Sequence, residues 1–332
     1  MQEEISLKPF NSFGLEISAN ELIEVHRAED LPEILEQSKD TQTLILGGGT
    51  NILFTQNFSG KVLKMCTRGM EIVEETDTSV LIEVQAGEIW HDLVMWSIQK
   101  DLGGLENLAL IPGSVGAAPI QNIGAYGVEQ AQCFHSCTVW DRKEHKFQNI
   151  SKQDCDFGYR NSIFKSTHKN RYIICSVRYR LQKKPHQLEL SYGGLAKVVS
   201  QSSPTIRDVA QAVIQIRESK LPNPEELGNA GSFFKNPIIT EKELGAIQKT
   251  YPEIPTYPNT TGKVKVPAAW LIDTLGWKGY RKGDAGVHKN QALVLVNHGK
   301  AQGYEIQQLS EAIQKDVLDH FGISLIPEVN IL

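Results

Sequence analysis

The chain lacks the features that would carry it into a membrane, out of a cell or onto a polyanion. No apolar run approaches the roughly 20 residues that a membrane-spanning helix needs. The opening MQEEISLKPF has neither the basic start nor the apolar stretch of a secretory signal. A formal net charge of −5 argues against an extended nucleic-acid face, because such faces gain affinity by neutralising phosphates. A local basic pocket for one or two phosphates stays open. Cysteine is scarce: Cys66, Cys133, Cys137, Cys155 and Cys175 are odd in number and contain no CxxC pair. Cys133 and Cys137 have no matching second pair of ligands, so the expectation is reduced, mostly buried thiols in a cytoplasmic protein, and no metal site.

What is present is the balance of an ordinary globular protein, 40% hydrophobic and 22% charged. At 332 residues the chain exceeds what one core usually holds, so two or three domains are expected. The first stretch reads as mixed α/β. Asp30 and Glu33 bracket Leu31-Pro32 in a capping-box-like helix start, and Thr43 to Leu46 reads as a buried strand. From about Arg68 the texture changes to hairpins, at Glu71–Glu75 with Val80–Gln85 and at Val139–Gln148. Between them Ile89, Leu93, Trp96 and Lys100 mark one face of a helix ending at Gly103-Gly104. Ile173, Cys175, Val177, Tyr179 and Leu181 alternate along one side of a half-buried strand. Thr205 opens a helix with Asp208 in the capping-box position and Ile206, Val209, Val213 and Ile216 as its stripe. Lys220-Leu221-Pro222-Asn223-Pro224 then reads as a junction before a smaller α/β unit.

Six segments could carry chemistry. Gly47-Gly48-Gly49-Thr50-Asn51 follows a strand, and consecutive glycines let amides converge on an anion such as a pyrophosphate; the plain alternative is a tight turn. It is not GxGxxG, which disfavours a nicotinamide-type Rossmann unit. The run from Ile111 to Gly127 is dense in small residues and nearly free of charge, which suits backbone lying against a flat, bulky ligand, or else close helix–sheet packing. Arg160, within Asp156-Phe157-Gly158-Tyr159-Arg160-Asn161-Ser162, offers a planar donor fork for a carboxylate or developing oxyanion, though most such arginines are surface ion-pair partners. Ser232, in Gly228-Asn229-Ala230-Gly231-Ser232-Phe233-Phe234, has no GxSxG elbow, so it is not a hydrolase nucleophile. Lys265 and His288 follow, His288 a candidate catalytic base although a lone loop His is more often incidental, and the terminal Glu328 completes the set, where most such carboxylates are solvated and idle.

Together and in this order, LGGGTNILF, IPGSVGAAPIQNIGAYG, YRNSIFK, GNAGSFFKNP and PEVNIL closely resemble the UDP-N-acetylenolpyruvoylglucosamine reductases (UDP-N-acetylmuramate dehydrogenases), over nearly the whole chain. LSYGGL around Tyr192 is similar to the longer subtype. The resemblance implies an α+β fold: a two-subdomain FAD-binding unit of the vanillyl-alcohol oxidase/p-cresol methylhydroxylase type plus a C-terminal α/β substrate domain. The expected boundaries are 1–67 with 326–332 returning to it, 68–218, and 219–325. It implies non-covalent FAD held by Gly47, Gly48, Gly49, Thr50, Asn51, Gly113, Ser114, Gly116, Asn122, Gly124 and Ala125, with NADPH as reductant. Arg160 and Glu328 would stabilise the enolate formed when the enolpyruvyl group is reduced, and Ser232 would protonate it. Tyr192, Lys220, Asn236, Tyr257, Lys265 and Gln291 would contact the UDP-sugar. The expected protein is a cytoplasmic monomer of peptidoglycan precursor synthesis that binds no nucleic acid or membrane. Two rivals are a flavin oxidase of the same superfamily, disfavoured by the lack of His or Cys in the IPGSVGAAPIQNIGAYG loop, and a non-catalytic flavin-binding module.

Overall fold

A computed structural model describes residues 4–192, 194–199, 201–259 and 262–332. The chain falls into two compact units, each assembled from separated stretches. One contains Ala19–Gly48 and Ser59–Ser219; the other contains Glu4–Ser18, Gly49–Phe58 and Lys220–Leu332.

In the first unit, strand Thr43–Leu46 runs parallel to Phe58–Met65, Thr43 opposite Lys61 and Leu46 opposite Lys64. Only Leu46 of the shorter strand is fully buried; the others are half-covered, so the expected buried strand is a partly exposed one. Helix Leu31–Glu36 lies nearby, and Leu31 joins Val25, Leu63 and Met65 in a small core. Asp30 does not cap it: a 3-10 turn over Ala28–Asp30 leads into the helix, so Asp30 is already helical and its side chain makes no capping bond. The reason is conformational, since a capping side chain needs extended backbone to reach the N3 amide.

A five-stranded antiparallel sheet follows, in the order Lys146–Ser151, Phe134–Asp141, Tyr172–Gln182, Ser79–Gln85, Met70–Glu75. Both expected hairpins are present within it. Thr76 closes the first by bonding Ser79. Asp141 closes the second, its Oδ1 accepting from the amides of Lys143 and Glu144. Helix Trp90–Gln99 covers the sheet, but with a face rotated from the expected one. Trp90, Leu93, Val94, Ser97 and Ile98 are buried, while Ile89 stands exposed as the extended residue before the first turn. Trp90 decides the rotation: its indole N–H donates to Leu108 O at 3.0 Å and its ring meets Tyr179 edge-on.

Strand Tyr172–Gln182 also departs from simple alternation. Ile173 and Cys175 enter the small core with Trp140, whereas Ile174, Val177, Tyr179 and Leu181 enter the large one. A register shift explains this, since Thr138 pairs with Ser176 but the next residue, Val139, pairs with Ile174. The extra residue at Cys175 turns the strand over, so its first half is covered on both faces. Helix Ile206–Lys220 completes the core with Ile206, Val209, Val213 and Ile216. Its capping box is formed as expected: Asp208 Oδ2 accepts from the Thr205 amide at 2.8 Å, and Thr205 Oγ1 from the Asp208 amide at 3.3 Å.

The second unit is built on the antiparallel sheet Gly228–Ser232, Val294–Asn297, Ala285–Val287, Arg281–Lys282. Helix Gly303–Phe321 covers it with Ile306, Leu309, Ile313, Val317 and Phe321. A second sheet orders Ile238–Thr240, Lys263–Lys265 and Tyr257–Pro258, with helices Glu241–Gln248 and Ala268–Thr274 nearby. Asn330–Ile331 pairs in parallel with Ile52–Leu53, and the Thr55 amide donates to Leu332 O at 2.7 Å. Gly228 is pressed against Phe13 so closely that a Cβ would sit 2.2 Å from its carbonyl oxygen.

Candidate active site

The glycine loop is shaped by contact. A Cβ at Gly47 would lie 2.3 Å from Ser114 Oγ, and one at Gly48 2.8 Å from Gly113 Cα. Gly48 therefore lets backbone touch backbone, while Gly47 and Gly116 make room for the Ser114 and Ala86 side chains. The same bareness leaves amide donors unused. Among the described residues the amides of Gly48, Gly49 and Thr50 donate to no protein acceptor, and Gly48 is exposed. Successive amides without acceptors are what a pyrophosphate requires, so this loop fits the anionic middle of FAD. Lys64 Nζ bonds Gly47 O at 2.7 Å and braces the turn; burial lowers its pKa.

The second and third segments are tied together in the first unit. Buried Asn122 spends its side chain on four bonds: Nδ2 donates to Glu129 Oε2 (2.7 Å) and Gly158 O (3.1 Å), while Oδ1 accepts from Gln130 Nε2 (3.3 Å) and the Ala131 amide (3.1 Å). Ser162 Oγ donates to Ile120 O at 2.6 Å. Asn122 thus organises the loop from behind, and only its backbone remains for a ligand. Arg160 Nη2 donates to Gly124 O, Nη1 lies 3.5 Å from Asn122 O, and the guanidinium sits 5.4 Å from the Tyr159 ring centroid. Leu110, Asn122, Tyr126, Asp156 and Arg160 all have positive φ, between 45° and 59°. Each such residue costs on the order of 1 kcal/mol or more, and strain of this kind concentrates where side chains must be aimed.

Ser232 and Glu328 belong to the second unit, on neighbouring extended segments. The Glu328 amide donates to Phe233 O at 2.8 Å, Lys235 N donates to Ile326 O at 2.9 Å, and Phe234 bridges Pro327. Gly231, at φ +69°, sits in a register irregularity between Asn229 and Ser232, whose Asn229 Oδ1 accepts from the Gly231 amide at 2.9 Å. That bulge leaves Ser232 exposed above buried Phe233 and Phe234. A further bond from Asn51 Nδ2 to Glu328 O, at 3.4 Å, ties the end of the glycine loop to the same place.

Of the expected sugar-nucleotide residues, Tyr257 and Lys265 are direct cross-strand partners, and opposite residues share a sheet face. Asn236 Oδ1 accepts from the Ala268 amide at 2.9 Å, at the start of helix Ala268–Thr274. Gln291 sits in the turn before Val294, the strand partner of Ser232, its carbonyl accepting from the Val294 amide. Lys220 is exposed at a helix end. Tyr192 is 39% exposed in the first unit; Gly193 of the LSYGGL stretch lies outside the described residues. His288 is buried, its Nδ1 has no hydrogen-bond partner among the described residues, and burial with Lys289 and His298 nearby lowers its pKa.

One further cluster lies outside the segments named above. His91 and Arg217 both bond the backbone of Leu110, beside Tyr126. Positions 91, 110, 126 and 217 carry no spacing signal. Arg217, however, continues the apolar stripe four residues after Val213, and a cation at a core-facing position is a signal. Among the described residues no group of three or more His, Cys, Asp or Glu could hold a metal ion. No helix among them is long and apolar enough to cross a membrane.

Known proteins match this chain over its whole length. Residues 223–332 match the family model described as UDP-N-acetylenolpyruvoylglucosamine reductase, C-terminal domain, and residues 19–146 match an FAD binding domain. The UDP-N-acetylenolpyruvoylglucosamine reductase of Flavobacterium johnsoniae is 48% identical, covering 100% of this chain and 99% of its own. That of Pseudomonas aeruginosa is 45% identical over 100% of this chain and 98% of its own. The crystal structure of the reductase from Thermus caldophilus has the same fold, with a TM-score of 0.70 at 22% identity over 99% of this chain and 98% of that one. With full-length relatives at this identity, the chain belongs to the UDP-N-acetylenolpyruvoylglucosamine reductase family.

Proposed function

We propose that this protein is a cytoplasmic, monomeric, NADPH-dependent flavoenzyme that reduces UDP-N-acetylglucosamine enolpyruvate to UDP-N-acetylmuramate for peptidoglycan synthesis. The net reaction adds two electrons and two protons across the vinyl double bond: the enolpyruvyl ether, NADPH and a proton give the lactyl ether and NADP+. FAD, when bound, relays the electron pair between NADPH and the sugar. The domains follow the boundaries 1–67 with 326–332, 68–218 and 219–325, the first two holding FAD and the third the UDP-sugar.

The chain's own groups have distinct tasks. The bare amides of the glycine loop take the FAD pyrophosphate, and the backbone from Gly113 to Ala125 lies along the rest of the cofactor. Lys265 and Tyr257, opposite each other in their sheet, take the substrate diphosphate. Tyr192, Lys220, Asn236 and Gln291 complete the sugar-nucleotide contacts. Reduction of the terminal vinyl carbon pushes charge onto the substrate carboxylate. Arg160, already oriented by two loop carbonyls, meets that charge with a fixed guanidinium, which lowers the barrier without reorganisation. Glu328 holds the same enolate, and Ser232 Oγ gives its proton to the adjacent carbon. Serine is a weak acid, but an enolate carbon is a strong base, so the transfer runs downhill.

The observation that most supports this reading is the Glu328-to-Phe233 bond, which joins two carriers of the chemistry 96 residues apart in the chain onto paired segments. Anaerobic stopped-flow tests it. Yellow holoenzyme should bleach with NADPH and recolour with the enolpyruvyl sugar. Ser232→Ala should bleach at the parent rate and recolour at least a hundredfold more slowly. Equal slowing of both half-reactions would remove the proton-donor role.

A further inference from the structure

Leu110 gathers two side chains for which the reaction above has no use. Its amide donates to His91 Nδ1 at 2.9 Å, and its carbonyl accepts from Arg217 Nε at 3.2 Å. The first bond fixes the imidazole: Nδ1 is the acceptor, burial lowers the ring's pKa, and the neutral ring carries its proton on Nε2. The second bond consumes Nε and leaves the Nη1/Nη2 edge of the guanidinium. Among the described residues that edge has no hydrogen-bond acceptor and no carboxylate partner. Burial nonetheless lowers even the guanidinium's pKa, opposed by the nearby Tyr126 phenol.

Tyr126 completes the group. Asn107 Nδ2 holds its carbonyl at 2.9 Å, its backbone sits at φ +47°, and burial raises the phenol's pKa, so the hydroxyl is a neutral donor. Tyr192 lies alongside: a Cβ on Gly127 would be 3.4 Å from Tyr192 Cβ. Arg217 therefore lies within electrostatic reach of both the His91 ring and the Tyr126 phenol in a partly desolvated place, a permanent cation whose two NH2 groups have no acceptor among the described residues. Such an arrangement is costly unless an anion completes it.

We propose that Arg217, with the Nε2–H of His91 and the hydroxyl of Tyr126, forms an anion-recognition cluster for a planar edge of two acceptor atoms. A carboxylate presents that edge, and so does the pyrimidine side of a reduced flavin; both suit a guanidinium fork. The assignment rests on the flavin-reductase reading, whose substrate and cofactor supply these two sources.

Flavin-loaded Arg217→Met, Arg217→Lys and Tyr126→Phe enzymes distinguish them. The probes are UDP-N-acetylmuramate, which carries a carboxylate, and UDP-N-acetylglucosamine, which does not, with the flavin midpoint potential as a third readout. If the carboxylate is the ligand, Arg217→Met weakens the first sugar by roughly ten- to a hundredfold, leaves the second within about twofold, and leaves the potential unchanged. If the flavin is the ligand, both affinities hold and the potential falls by about 30 mV per tenfold loss of preference for the reduced form. Arg217→Lys, keeping charge without the fork, gives a smaller change of the same kind, as does Tyr126→Phe. Should the methionine variant not fold, these two decide by the same readouts. Parent-like values of all three quantities would overturn the cluster. A parent protein that purifies without flavin would sink the functional reading along with it.

Discussion

Asp141 offers a quantitative check on what holds the second hairpin to the sheet. Its side chain is wholly buried and accepts from Arg171 Nη2 (2.7 Å), Arg171 Nε (3.1 Å), Gln148 Nε2 (2.9 Å) and the Lys143 and Glu144 amides. The Arg171 hydrogen bond holds its carboxyl well below the usual carboxylate range, with the two amides helping. Asp141→Asn replaces one acceptor oxygen by a donor facing Arg171 and Gln148. Breaking a fully buried pair costs about 3–5 kcal/mol, but Arg171 keeps 27% of its side chain in water, so about 2–3 kcal/mol is expected. At roughly 2–4 °C per kcal/mol for a unit of this size, the thermal midpoint should fall by about 4–12 °C. The sign with pH follows from linkage. A depressed carboxyl contributes stability that is complete above its unfolded-state pKa near ~3.9 and is lost as pH falls through the folded value. The difference between parent and variant in urea should therefore be equal at pH 7 and pH 5, and smaller by about 0.7 kcal/mol at pH 3.5. No destabilisation at pH 7, or a difference that grows on acidification, would refute the reasoning.

Lys265→Met should weaken UDP binding by roughly tenfold to a hundredfold, the cost of losing a charge-assisted contact, without lowering flavin content; calorimetry with UDP checks it. Cys133 and Cys175 are pushed up to about 12 by burial, so about one thiol in ten thousand is ionised at pH 8. A chromogenic disulfide reagent should thus modify half-buried Cys66 before any other cysteine in native protein, read by peptide mapping.

Local chemistry was legible wherever a few neighbouring residues decide the outcome. The Thr205–Asp208 capping box and the turns at Thr76–Ser79 and Asp141 are short-range bonds, and the chain writes them directly. Long-range competition was not legible. Ile89 fits a helical stripe on paper, yet Trp90 wins the core position because Leu108 supplies its N–H with an acceptor. Strand Tyr172–Gln182 looks one-sided until the bulge opposite Thr138–Val139 turns it over. In the site, Ser232 and Glu328 draw their roles from the resemblance alone, and the antiparallel contact between 233–235 and 326–328 gives their association a physical basis. Arg217 shows in the sequence only as a cation on an apolar stripe, because its partners Leu110, His91 and Tyr126 meet only through folding.

The patchwork make-up of the second unit bears on how it can be made on a ribosome. Glu4–Ser18 and Gly49–Phe58 emerge early, but Phe13 waits for Gly228 and Asn297, and Ile52–Leu53 wait for Asn330–Ile331. Closing such distant pairs is entropically slow. Ala19–Gly48 and Ser59–Ser219 can consolidate while two early, partly apolar ribbons stay uncommitted until synthesis is nearly over. Those ribbons are where a nascent chain of this protein would be open to chaperone capture.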